Sequence, residues 1–322
     1  MVKAVNIAYS FDDNYAKYAG ISLFSLLVNN QKIERLKIFI IGENISLENI
    51  EKLKEVAIKF NREITFIDIF DIIPKMDVIP SFGISAYGRL FLSNYLDIDK
   101  VYYFDSDTII NDSIHEIINI DLGEALVAGI QDSVNPYYLH EIGLETSEKY
   151  INSGGVLILN LALWRKMGIE QKCLDFLKKF NGNPPHNDQG TINNICKGYI
   201  KILHPKFNLM NPMLLFNAKQ IKDLFKIQEY YSQIQLKEAV NNPVVIHFTT
   251  EFFDRPWFHN CTHPLKNIFL GYMKSSPWNL KLEKNKLSKN CRIQNWIYDN
   301  CPLKIYKLMI RYIEIKHRFI TN

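Results

Sequence analysis

The run KVYYFDSDTIIND, residues 100–112, joins an apolar segment to a pair of acids. Val101 to Phe104 reads as a buried strand that stops at Asp105 and Asp107. Residues two apart in an extended chain point to the same side, with Cα atoms about 6.6 Å apart. Both carboxylates therefore face one way, and Ser106 faces the other. Two like charges at the end of a buried strand repel and resist desolvation unless something offsets them. A loop cap is one answer. A divalent cation gripped by oxygen ligands is the other.

The flanking sequence supplies a frame for the pair. AVNIAY (4–9), LKIFII (36–41) and EITFIDI (63–69) read as strands. YAKYAGISLFSLLVNN (15–30) and SLENIEKLKEVAIKF (46–60) alternate with them at helical spacing. Ser46 is placed to cap the second helix, with Glu48 and Glu51 in its favourable first turns. This β-α-β-α-β order predicts an α/β fold: a mainly parallel, Rossmann-like sheet with helices on both faces. SAYGRLFLSNYL (85–96) reads as a helix leading into the strand before Asp105. ALVAGI (125–130), GVLILN (155–160) and PVVIHF (243–248) read as strands that continue the sheet. WRKMGIEQKCLDFLKKF (164–180) and DQGTINNICKG (188–198) read as helices. In open sheets of this kind ligands bind beyond the carboxyl ends of the strands, which is where Asp105 and Asp107 fall. The organisation predicts one domain over residues 1–275, followed by a basic amphipathic helical appendage over 276–322.

Composition narrows the class. The chain has 322 residues, 47% hydrophobic and 22% charged, as globular proteins do. No apolar run reaches the roughly 20 residues a membrane span needs. The first residues, MVKAVNIAYSFDD, lack the long apolar core and cleavage site of a signal peptide and read as a first strand. Five scattered cysteines without a C-x-x-C pair predict reduced thiols in a cytoplasmic protein. The net charge of +4 conceals a division. Residues 281–322 carry ten Lys/Arg against three acids, which leaves the body mildly acidic and unsuited to nucleic acid. Within the tail, Lys304, Lys307, Arg311, Glu314 and Arg318 recur at helical spacing beside Ile305, Leu308, Met309, Tyr312, Ile315 and Phe319. Such a helix suits peripheral contact with an anionic inner membrane surface, and equally suits packing on the body.

Six segments in sequence order resemble the retaining, metal-dependent GT-A glycosyltransferases of family 8, whose members include bacterial lipooligosaccharide and lipopolysaccharide galactosyl- and glucosyltransferases. They are SFDDNYAKYAGISLFSLL, SAYGRLFLSNYL, FDSDTIINDSI, YINSGGVLILNLALWRK, HNDQGTINNI and VVIHFTTEFFDRPW, spanning about residues 1–260. The resemblance implies a UDP-sugar donor and a glycan or glycolipid acceptor. It implies that Ser10, Asp12 and Asn14 meet the uracil and ribose, and that Asp105 and Asp107 with His247 bind Mn²⁺, with Mg²⁺ as the alternative. Ser106 falls in the same donor-binding segment. Arg89 matches an arginine near the donor sugar, Asn152 and Gly154 a turn lining the sugar pocket, and Asp188 and Gln189 a catalytic pair beneath the anomeric centre. Arg255 stands where the family has a phosphate-binding lysine, in a segment longer than usual. YINSGGVLILN carries one residue more than the usual turn, which leaves Gly155 as the alternative to Gly154.

Residue chemistry gives competing explanations for several of these positions. Asp12 or Asp13 suits a helix cap. Arg89 on an apolar helix needs an anionic partner, either the donor or an internal carboxylate. A strand-end histidine such as His247 is often simply packed, but an imidazole beside two carboxylates favours Mn²⁺ over harder ions. D-x-D after a strand also occurs in dehalogenase-type phosphatases, but here Ile109 replaces the expected threonine and three strands precede the motif. A catalytically silent sugar-nucleotide-binding protein is the remaining alternative. Retention in hydrolases uses a carboxylate nucleophile. Gln189 is an amide, so front-face substitution is expected, with Asp132 as an acceptor-side residue or a cryptic nucleophile.

Overall fold

The structure is a computed structural model that describes residues 4–75, 83–134, 136–145 and 147–284, with scattered residues between 293 and 312. The five polar positions of the tail stripe, Lys304, Lys307, Arg311, Glu314 and Arg318, lie outside the described residues.

Among the described residues seven strands form the central sheet: β1 (Val5–Asp12), β2 (Leu36–Glu43), β3 (Ile64–Asp68), β4 (Lys100–Phe104), β6 (Val127–Gly129), β7 (Val156–Asn160) and β8 (Ile200–Ile202). Their spatial order is β3-β2-β1-β4-β7-β6-β8. Only β7 runs against its neighbours. The chain builds outward from β1 to β3, then returns to lay β4 on the other side of β1, pairing Ile7 with Tyr102. This reversal opens a crevice at the carboxyl ends of β1 and β4.

Period-two alternation divides the core between the two sheet faces. Ile7, Tyr9, Ile38, Tyr102 and Phe104 pack in one cluster with α1 (Asp13–Asn29), α2 (Leu47–Lys59) and the helix Lys266–Ser275. Ala8, Ile41, Val101 and Tyr103 pack on the other face with Tyr87, Trp164 and Leu174. Each large side chain buried this way contributes about 1.5–3 kcal/mol. Asp12 caps α1 by accepting from the Tyr15 N–H at 3.0 Å, and Ser46 caps α2 through the Asn49 N–H as its position implied.

Three elements depart from the sequence reading. Residues 84–91 form a 3-10 helix rather than an α-helix, and Gly88 within it lies against Ser10 so closely that a Cβ would clash. The helix read across 164–180 is two helices, Leu161–Met167 and Ile169–Lys179, broken where Gly168 turns left-handed at φ 62°. PVVIHF does not extend the main sheet. It forms β9 (Val245–His247), which pairs antiparallel with β5 (Thr108–Ile110) in a separate two-stranded ladder. The turn after β4 carries β5 away from the main sheet, so β9 finds its partner there. Cys173, Cys196, Cys261 and Cys301 are free. Among the described residues no helix is long and apolar enough to cross a membrane.

Candidate active site

The β5–β9 ladder brings the imidazole to the acids. Thr108 pairs with His247, and the Phe248 N–H donates to the Asp107 carbonyl at 3.0 Å. One ligand atom from each of Asp105, Asp107 and His247 lies within 4.8 Å of the others. His247 Nε2 is 3.2 Å from an Asp107 oxygen. Burial holds this imidazole near pKa 4 despite the neighbouring carboxylates, so it is neutral and has a lone pair to offer. Its Nδ1 is buried without a hydrogen-bond partner. Gly154 completes the floor: a Cβ there would come within 2.7 Å of His247 Cε1 and 2.8 Å of an Asp105 oxygen. Gly155 instead supplies the left-handed turn, at φ 79°, so Gly154 is the glycine that faces the cluster. Two carboxylates, one neutral imidazole and an open floor fit a divalent ion that accepts both oxygen and nitrogen.

A cleft of about 630 Å³ lies over this cluster at the crevice between β1 and β4. The expected donor-side and catalytic residues line it, except Asn14. The Asn14 amide turns back to Asp12 at 3.2 Å and lines an adjoining pocket beside Tyr18 and Trp257. Asp12 serves as the α1 cap while also facing the cleft. A larger depression of about 1450 Å³ sits near Val5 and Lys100, at the start of the strands, and contains none of these residues.

Arg89 is 5% exposed, and its partners are internal. Its guanidinium donates to Asp105 at 2.8 Å and to the Ser153 carbonyl, approaches Asp188 at 3.5 Å and lies 4.2 Å from the Tyr103 ring centre. Burial works against the charge, but Asp105 and Asp188 hold its pKa above the ordinary arginine value. Arg255 pairs with Asp107 and donates to the Phe248 carbonyl. Each acid of the pair thus has its own guanidinium.

Asp188 and Gln189 open the helix Asn187–Ile195. The Asp188 carboxylate accepts from Ser153 Oγ at 2.7 Å. Gln189 accepts from the Ser153 N–H at 3.1 Å and donates to Asp132 at 2.8 Å. At the helix start, the cap residue His186 and the first residue Asn187 both hold left-handed backbone, at φ 58° and 52°, uncommon for consecutive non-glycine residues and typical of functional sites. Tyr150 braces this turn through a 2.5 Å contact between its hydroxyl and His186 Nδ1.

Residues 6–261 match the sequence model of glycosyl transferase family 8. The chain belongs to that family. As a family 8 glycosyltransferase it has clear relatives. A Haemophilus influenzae protein assigned to the glycosyltransferases is 32% identical over 317 residues, covering 92% of this chain and 89% of its own. The lipopolysaccharide 1,2-glucosyltransferase of Escherichia coli K12 is 25% identical over 285 residues, covering 86% and 79%. The crystal structure of the galactosyltransferase LgtC with donor and acceptor sugar analogues has the same fold, with a TM-score of 0.66 at 21% identity over 89% of this chain and 99% of that one.

Several cleft residues of this family 8 glycosyltransferase escaped the sequence reading. Ser153 touches Arg89, Asp188 and Gln189 at once, yet it is an ordinary serine inside the NSGG turn. Tyr15, 42% exposed, stands between the cleft and the adjoining pocket. Its signal was an aromatic next to Asp12 and Asn14 at a helix start. Asp132 is absent from the cleft wall and lies behind Gln189.

Proposed function

We propose that this glycosyltransferase moves a hexose, glucose or galactose, from a UDP-sugar to a glycan or glycolipid acceptor. The reaction retains anomeric configuration, depends on Mn²⁺ and serves synthesis of lipopolysaccharide or another cell-surface glycan. The observation that carries this reading is the convergence of Asp105, Asp107 and His247 on one point of the cleft floor. A bound Mn²⁺ supplies positive charge for the departing diphosphate and orients it.

The chain's own groups divide the remaining work. Asp105, Asp107 and His247 hold the ion. Arg255 presents a planar fork suited to a phosphate, and the exposed Tyr15 ring offers a stacking face for a planar base. Asp12 faces the same end of the cleft with acceptor oxygens for the nucleoside. Asp188 and Arg89 form the wall that meets sugar hydroxyls. Gln189 is a poor nucleophile, so its carbonyl stabilises an oxocarbenium-like centre while the acceptor hydroxyl attacks from the leaving-group side. Ser10 donates to the Ser85 carbonyl at 2.6 Å and shapes the nucleoside end.

The tail supports a membrane-facing role. Tyr306 is 1% exposed and turned inward, whereas Trp296, Leu308 and Tyr312 are each more than 60% exposed within a segment rich in Lys and Arg. The exposed, basic side of the tail docks on an anionic bilayer, while Trp278, Tyr298 and Tyr306 pack on the body. Sedimentation with anionic vesicles tests this: the full chain pellets and a chain lacking 281–322 does not, and equal partitioning contradicts it.

A screen of UDP-sugars for UDP release, with and without a chelator, tests the activity. Ion-dependent turnover of UDP-glucose or UDP-galactose, restored best by Mn²⁺, is the expected result. Release of no UDP from any donor overturns the reading.

A further inference from the structure

We infer that Asp132 is a positioning residue that locks the orientation of the Gln189 side-chain amide. The inference rests on the proposed role of Gln189 at the anomeric centre. Asp132 follows a short bridge, Gln131 to Ile151, in which the Asp132 N–H donates to the Tyr150 carbonyl at 3.0 Å and the Asn152 N–H to the Ile130 carbonyl at 2.9 Å. These bonds hold Asp132 beside Asn152. One Asp132 oxygen accepts from the Ser133 N–H at 2.7 Å. The other accepts from Gln189 Nε2 at 2.8 Å and from Asn152 Nδ2 at 2.9 Å.

An ionised carboxylate only accepts, so both amides must turn their NH₂ groups toward it. The Ser153 N–H only donates, and it meets Gln189 Oε1 at 3.1 Å. Donor and acceptor demands agree on a single orientation, with the Gln189 nitrogen on Asp132 and its oxygen on the Ser153 side. Gln189 and Ser153 line the cleft, and Asp132 does not. Asp132 therefore acts through Gln189. With both oxygens engaged by amide donors, Asp132 is assigned to positioning Gln189 rather than to the nucleophile role considered for it from sequence.

Reversing the hydrogen-bond polarity tests this directly. Gln189→Glu sets a second carboxylate against Asp132. Adding Asp132→Asn restores a donor opposite the introduced carboxylate while leaving an oxygen for the Ser133 N–H, and the Asn152 amide, already 3.3 Å from Gln189 Oε1, turns to donate there. Asp132→Ala is expected to lower kcat on the order of 10²-fold, the scale of a small misplacement at the reacting centre, with donor KM nearly unchanged. The double variant D132N/Q189E is expected to turn over faster than Q189E alone, by at least about fivefold, as directly coupled neighbours do. A loss in D132A confined to KM, or a double variant no faster than Q189E alone, overturns the inference. A second readout needs no turnover: the ¹⁵N side-chain amide resonance of Gln189, assigned by its disappearance in Q189E, shifts in Asp132→Asn. An unmoved resonance overturns the inference. A wild type that releases no UDP contradicts the proposed function alone, and the resonance still decides the role of Asp132.

Discussion

Asp105 and Asp107 look interchangeable as letters, but their surroundings separate them. Asp105 balances Arg89, whose side chain is 6% exposed, whereas Asp107 balances the more accessible Arg255 at 17%. Asp105→Asn leaves Arg89 only the longer pairing with Asp188, and breaking a buried pair costs about 3–5 kcal/mol. Asp107→Asn leaves Arg255 nearer to water. Both substitutions are expected to lower kcat by roughly 10²–10³-fold, the scale of losing one electrostatic stabiliser. Asp105→Asn is expected to lower the melting temperature more than Asp107→Asn, because Arg89 is the less exposed guanidinium although Asp107 is the less exposed acid, and calorimetry beside initial rates checks the split. Equal destabilisation by both variants contradicts it. The acids stood out in the sequence where the apolar run Val101–Phe104 ends, whereas His247 entered only through the family resemblance, since a strand-end histidine is often simply packed. Arg89 and Arg255 were named from the sequence, but which acid each meets was not legible, since Arg89 lies 16 positions and Arg255 148 positions from its partner.

Two glycines show how whole elements aim the site. Gly154 lets the turn before β7 pass under Asp105 and His247. Gly190 lets the helix Asn187–Ile195 begin against the Pro185 carbonyl, where a Cβ would clash with backbone. Gly154→Ala is expected to weaken ion affinity, and Gly190→Ala to lower kcat while ion affinity stays near wild type. Ion titration by calorimetry with parallel kinetics separates the two, and identical profiles contradict the assignment. The loop between His247 and Arg255 has its own anchor. Phe252, at φ 66°, packs its ring against Phe216, Tyr298 and Tyr306 at centroid distances of 5.3–5.8 Å. Tail residues thereby brace the loop that places Arg255. Sequence periodicity located β9 but not its partner. Three residues, Thr108–Ile110, carry too little pattern to announce a strand, and the separate ladder that delivers His247 follows from that strand. Likewise a lone Gly168 inside a helical pattern did not reveal that the helix divides there.

At the scale of the molecule, the alternation of strands and helices made the α/β class and the parallel core legible, since each strand is backed by an apolar helix face. The antiparallel β7 at the centre was not legible, because a fully buried strand reads the same in either direction. Stability of the whole fold should follow buried imidazoles away from the cleft. His263 is 3% exposed; its Nδ1 accepts from the Leu265 N–H at 3.1 Å, and its Nε2 meets Asn211 Oδ1 at 3.0 Å. Both nitrogens are used in the neutral form, and burial lowers the pKa from 6.5 to about 4. The unfolded chain therefore takes up the proton first as pH falls. The contribution is fully present above about pH 6.5 and lost progressively toward pH 4, on the order of 3 kcal/mol. Denaturant unfolding across that range should show the decline, and His263→Gln should flatten it. A slope unchanged by the substitution contradicts the assignment.

In the proposed reaction two carboxylates and one imidazole share a divalent ion that meets the donor diphosphate. Pulsed electron paramagnetic resonance on the protein with one equivalent of Mn²⁺ and UDP tests it most directly. Nitrogen modulation from a coordinated imidazole is expected, absent in His247→Ala, with loss of tight Mn²⁺ binding when Asp105 and Asp107 are both changed to Asn. Tight binding that survives the double substitution, or a wild-type spectrum without imidazole nitrogen, would contradict it.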